Sequence, residues 1–256
     1  MNQSTMMGMY TALFISTIMP LLLVLYLALK KTLKMKSFSM GMLTFIISQM
    51  LISSPILKYM KQFSLMENKW VSQFITVTII VASDMFLTWL FISRSKNNTS
   101  YMEAVSYGMG KGIISILFLI GVSSVSNISL ANTIMDGSIY NMKGVDINTI
   151  NKIVSVLTTT SGFSYVASAI QEIGNLILSI LITVIVVYSI RSNNKKLLLK
   201  LTILAIIVRL LGIYIGILSS VMMVIYSVSI IGILGFITMK IDFKNKKIKH
   251  ILNEIL

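Results

Sequence analysis

The 256-residue chain contains no cysteine and a single histidine, His250, close to its C-terminal end. A disulfide framework or thiolate metal site is therefore impossible, and a histidine-ligated zinc centre inside a membrane is excluded, since such centres draw on several Cys or His side chains. Two prolines and fourteen glycines give too little punctuation for many short strands. Charge is scarce as well: 12% of residues are Asp, Glu, Lys or Arg, against about 25% in a soluble domain. Acidic residues number only eight, leaving a net charge of +14.

What is abundant is apolar. Hydrophobic residues make up 55% of the chain and the mean hydropathy is +0.87. The apolar runs recur at roughly 20 residues, the length a helix needs to cross a hydrocarbon core of about 30 Å. The pattern predicts an all-α, polytopic integral membrane protein of about seven transmembrane helices. The expected spans lie near 9–29, 38–57, 71–93, 104–126, 168–190, 198–218 and 220–239. The stretch 201–239 is almost continuously apolar, and Gly216, Ser219 and Ser220 mark the turn that divides it into two.

The basic residues supply a test independent of hydropathy. Lys30, Lys31, Lys34 and Lys36 follow the first span, Arg94 and Lys96 the third, Arg191, Lys195, Lys196 and Lys200 the fifth, and Lys240, Lys244, Lys246, Lys247 and Lys249 the seventh. These alternate loops hold 15 of the 22 basic residues. The positive-inside rule then places the N-terminus outside and the basic tail, 240–256, in the cytoplasm of a multi-pass cell-membrane protein. The same placement assigns the positive charge to the membrane surface and predicts the lipid bilayer, not nucleic acid, as the partner. The N-terminal run lacks a positive leading region and a small-residue cleavage site, so the first helix is expected to be retained. The segment 127–167, rich in Ser, Asn and Thr with a turn signal at Asp136-Gly137, reads as an external loop of little periodicity, either plain surface or a binding or lid segment.

Four ionisable residues fall within the spans: Asp84, Lys111, Glu172 and Arg209. An unpaired charge at the bilayer centre costs at least ~2.5 kcal/mol, so each must face the bundle interior, reach water or find a partner. Asp84 matches either Lys111 or Arg209 in depth, Lys111 could instead extend to the surface, and Glu172 could reach the outer interface. The choice between a functional polar cavity and a structural ion pair stays open. In Tyr107-Gly108-Met109-Gly110-Lys111-Gly112, Gly108 and Gly112 share a helix face, as small residues do where another helix approaches closely. No Ser or Thr follows the Gly-Lys pair, so the segment is not a phosphate loop.

The block from Ser83-Asp84 through Arg94 and Lys96 to Tyr107–Gly112 resembles the YhfC-like bacterial membrane proteins, intramembrane peptidases grouped with the glutamic-type CAAX-processing proteases. The later stretch Gln171-Glu172-Ile173 through Ser179 and Thr183 resembles the Glu-Arg helix of the same family. Over residues 70–215 the resemblance implies that Ser83 and Asp84 stand where the family carries a glutamate pair and Lys111 where it carries a histidine. Ser115 would then replace the glutamate that follows, Gln171 and Glu172 the Glu-Arg pair, and Ser179 a second histidine. Gly108, Gly110 and Gly112 match.

No catalytic residue carries over intact, and the resemblance implies an intramembrane-peptidase-like protein with a degenerate site and a peptide- or partner-binding role. No cofactor and no metal ligand set is expected. Two alternatives remain. In an active peptidase, Asp84 would be the base and Lys111 an electrostatic donor, or Lys111 would activate Ser83 or Ser115. In a transporter-type or immunity-type protein, the charges would line a pathway or lock helices together.

Overall fold

The computed structural model describes residues 2–94, 100–141 and 144–240. Among these residues the chain is helical and holds no strand. The helices are α1 (Gln3–Leu29), α2 (Met35–Met60), α3 (Lys69–Arg94), α4 (Tyr101–Met135), α5 (Ile147–Thr159), α6 (Gly162–Arg191), α7 (Lys195–Leu218) and α8 (Ser220–Lys240). The protein is thus an all-α, multi-pass membrane protein. Among the described residues six helices, α1 to α4, α6 and α7, are long and apolar enough to cross a bilayer. The seventh expected span falls on α8, which is apolar over Ser220–Ile233. The expected tail lies almost wholly outside the described residues.

Local chemistry sets the ends of these helices. Ser100 and Glu103 form a capping box at the start of α4, the Ser100 hydroxyl accepting from the Glu103 amide at 3.3 Å and the Glu103 carboxylate from the Ser100 amide at 2.6 Å, so two otherwise orphaned donors are satisfied. After α6, Asn193 takes a left-handed conformation (φ 51°), a common way to stop a helix. Ser219 is extended (φ −162°, ψ 131°) and separates α7 from α8. Its neighbours Gly216 and Ser220 lie within the flanking helices.

Among the described residues three helices contain a π-helical stretch: Phe14–Ile18 in α1, Ile47–Ser53 in α2 and Leu117–Gly121 in α4. Such stretches loosen the usual hydrogen-bond register and redirect the side chains around them. Those of α1 and α4 face each other, since a Cβ on Gly121 would stand 2.9 Å from the Thr17 hydroxyl oxygen.

Within the expected external loop the chain contains more helix than its pattern implies. α4 continues to Met135, and α5 follows from an N-cap at Asp146, whose carboxylate accepts from the Asn148 amide at 3.1 Å. Thirteen residues rise only about 20 Å, too short to cross a bilayer. α5 instead buries Ile150 and Leu157, and Leu157 packs with Met9 of α1 and Ala131 of α4. Its apolar positions recur at helical spacing over a segment otherwise rich in polar residues, and the tertiary contact makes the helix worthwhile.

α6 is the most buried of the crossing helices and forms the axis of the bundle. The largest apolar cluster gathers Leu178 to Val187 of α6 against Val81 and Met85 of α3, Ala104 and Tyr107 of α4, and Leu201 and Ala205 of α7.

Candidate intramembrane polar site

The glycines of α4 determine how closely its neighbours approach. A Cβ on Gly108 would lie 2.5 Å from the Ile180 Cα, and one on Gly112 would lie 2.9 Å from the Leu176 Cα. Both therefore abut the α6 backbone. Gly110 points the other way, where a Cβ would collide with the Phe38 carbonyl of α2, and Gly41 of α2 fits in turn against the Tyr107 carbonyl. One helix thus serves two interfaces by alternating glycines, and α2, α4 and α6 come close enough for short polar side chains to meet.

Lys111 projects from α4 between these contacts. Its ammonium lies 2.8 Å from Asp84 Oδ2 and donates to Thr88 Oγ1 at 2.8 Å. Asp84 and Thr88 are one turn apart on α3, so they share a face. Thr88 sends its own proton to the Asp84 carbonyl at 2.7 Å, leaving a lone pair for Lys111. Lys111 is 2% exposed and Asp84 8%. Lys111 does not extend to the membrane surface, because the carboxylate and hydroxyl of α3 meet its charge inside the bundle. The pairing goes to Lys111 and not to Arg209.

A turn before Lys111, the Tyr107 hydroxyl bonds to Thr44 of α2. Thr44 donates its only proton to the Met40 carbonyl at 2.8 Å, so Tyr107 is the donor in that bond. Its proton is therefore committed within the bundle.

The remaining polar groups extend the layer along α6 and α7. Glu172 accepts from Asn175 Nδ2 at 2.9 Å through one oxygen, while its other oxygen is buried without a partner among the described residues. Arg209 of α7 is near enough for its charge to act on both Glu172 and Lys111, and its Nε is buried with no partner among the described residues. Gln171 lies against α7, where a Cβ on Gly212 would meet its side-chain nitrogen at 2.6 Å. Asp84 Oδ1 and the Ser179 hydroxyl are likewise buried without a partner among the described residues.

The serine candidates fare differently. Ser83 donates to the Ile79 carbonyl of its own helix at 2.7 Å. Ser115 is half-buried, and among the described residues no hydrogen bond joins it to Lys111. Neither hydroxyl is therefore held by the lysine that would have to activate it. Thr88, Thr44 and Tyr107 are the members of the network that sequence reasoning did not assign. Their signal was present only as spacing, Thr88 four residues after Asp84 and Tyr107 four before Lys111.

The family model described as YhfC intramembrane metalloprotease matches residues 15–227. The chain belongs to this family. No curated protein and no solved structure matches it. The YhfC description implies a metal ion, and the donors at the centre of this bundle do not suit one. The chain has no cysteine and its one histidine lies outside the described residues. Among the described residues no three His, Cys, Asp or Glu side chains gather. The carboxylate at the centre, Asp84, already faces an ammonium, a group with three donors and no lone pair to offer a cation.

Proposed function

We propose that this YhfC-family chain is a peptidase-like membrane protein with a degenerate catalytic site, and that it acts by binding a hydrophobic peptide or a membrane partner. The observation that supports this reading is the Lys111 ammonium held at 2.8 Å from both Asp84 and Thr88 in a buried position. Peptide hydrolysis requires a base free to take a proton from water and donors aimed at the developing oxyanion. Here one oxygen of the acidic candidate is neutralised by its neighbour, and the Tyr107 proton is engaged by Thr44. A buried ion pair of this kind can specify helix register.

A second reading, retained hydrolysis, rests on the unpartnered Asp84 Oδ1 and Ser179 hydroxyl. In it Asp84 takes the proton of an attacking water and Lys111 stabilises charge on the scissile carbonyl. The two readings separate in one assay on the full chain in nanodiscs, with hydrophobic and prenylated peptides as probes. Saturable binding with no peptide fragments by mass spectrometry is the expected result. Fragmentation that disappears in Asp84→Asn, assayed well below that variant's own unfolding midpoint and with its helical spectrum preserved, would establish hydrolysis and overturn the degenerate-site reading.

A further inference from the structure

The end of the bundle formed by the α2–α3 connection carries a cavity of about 610 Å³, within the range of small-molecule sites. Its wall includes Gln49 and Ser53 of α2 and Ser72 and Thr76 of α3, while Lys58 and Lys61 also line it. From Lys61 to Gln49 the helical rise is about 18 Å, so the cleft runs from the membrane border into the apolar layer.

Ser53 distinguishes this cleft from an ordinary surface groove. It is 1% exposed and its hydroxyl has no partner among the described residues. The buried hydroxyls of Thr44, Ser83, Thr88 and Thr183 all return their protons to carbonyls one turn back. Ser53 closes the π-helical stretch Ile47–Ser53 and makes no such bond. A buried polar group left unpaired calls for a polar occupant of the space it lines. Lys58 and Lys61 are exposed, and no carboxylate among the described residues pairs with either.

We propose that this cleft binds the headgroup of an anionic phospholipid, with the phosphate between Lys58 and Lys61 and the glycerol and ester oxygens against Ser53 and its polar neighbours. The surroundings favour a lipid over a soluble anion. Met50, Leu51 and Ile56 on the same helix are exposed and offer acyl chains an apolar surface continuous with the bilayer. Positive side chains at the border with hydroxyls beneath them match the order of groups along a phospholipid. The assignment is independent of whether the buried core retains chemistry.

The test titrates short-chain phosphatidylglycerol into the full chain in a zwitterionic detergent and follows the thermal midpoint. Wild type should show a saturable rise. In K58Q/K61Q the apparent affinity should fall roughly tenfold or more, as expected for losing two lysine–anion attractions at a membrane surface. The charge-conserving K58R/K61R should respond like wild type, as should K195Q/K196Q at the start of α7. Ser53→Ala should weaken the response with both lysines intact. Equal responses in wild type and K58Q/K61Q would overturn the site, and an identical saturable shift from inorganic phosphate alone would overturn its assignment to a lipid.

Discussion

At the scale of single residues, the bundle depends on Asp84 and Lys111 being present together. Removing one member of a buried ion pair strands the other charge in a medium that cannot solvate it, at a cost of about 3–5 kcal/mol. Asp84→Asn and Lys111→Met should therefore each lower the unfolding midpoint sharply, while the double variant should recover most of the loss. A double-mutant cycle on chemical unfolding in detergent checks this, and additive single effects would argue against coupling. Thr88→Val removes a hydrogen bond to a charged group, for an expected loss of about 1.5–3 kcal/mol. Outside the spans, Asp136 accepts from the Ser138 amide at 2.9 Å and its hydroxyl at 2.6 Å, which holds its carboxyl below the ordinary aspartate value. A carboxyl lowered in the fold stabilises the turn above its unfolded pKa, about 3.9, and loses that contribution as pH falls through the lowered value. The protection factor of the Ser138 amide, its exchange rate taken relative to the intrinsic rate at each pH, should accordingly hold at neutral pH and fall on acidification below about pH 4, a dependence absent from Asp136→Asn.

At the scale of elements, α4 acts as a spacer read from both sides. Gly108 and Gly112 admit α6, and Gly110 admits α2. A side chain at Gly108 would have to displace the Ile180 backbone, which a close-packed interface resists. Gly108→Val should destabilise the protein by at least the ~1–3 kcal/mol typical of overpacking, measurable as a lower midpoint and faster proteolysis. Gly232 of α8, where a Cβ would meet nothing within 4 Å, is the control for packing alone. The short helix α5 belongs to the same scale. It holds the N-terminal end of α1 to the C-terminal end of α4 through Leu157, Met9 and Ala131, and is too short to cross a bilayer.

At the scale of the whole molecule, two expectations concern orientation and metal. The bias of basic residues supports an outside N-terminus and a cytoplasmic C-terminus. Because the chain lacks cysteine, single introduced thiols are unambiguous reporters. In intact cells Lys61→Cys should react with a membrane-impermeant maleimide and Lys196→Cys should not; the reverse pattern would invert the topology. The donor set around Asp84 leads to the expectation that chelation leaves the thermal midpoint unchanged and that purified protein carries well under one divalent metal per chain by elemental analysis. Stoichiometric metal lost together with stability on chelation would contradict it.

The helical membrane class and the family were legible in the sequence, for a physical reason. Apolar runs matched to bilayer thickness constrain secondary structure locally, since every backbone group in lipid must be satisfied within its own helix. Asp84, Lys111, Glu172 and Arg209 were equally visible, because ionisable residues stand out against apolar sequence. Which of them meet could not be read in the same way. Two cations matched Asp84 in depth, and only the rotation of α3 against α4, set by the glycine contacts with α2 and α6, brings Lys111 to it and leaves Arg209 apart. The Thr44–Tyr107 bond and the docking of α5 likewise depend on contacts between segments distant along the chain, and the cleft beneath Lys58 and Lys61 on how α2 packs against α3. Hydropathy alone determined that helices would form and what solvent they would face; tertiary packing decided which polar atoms found partners and which were left open.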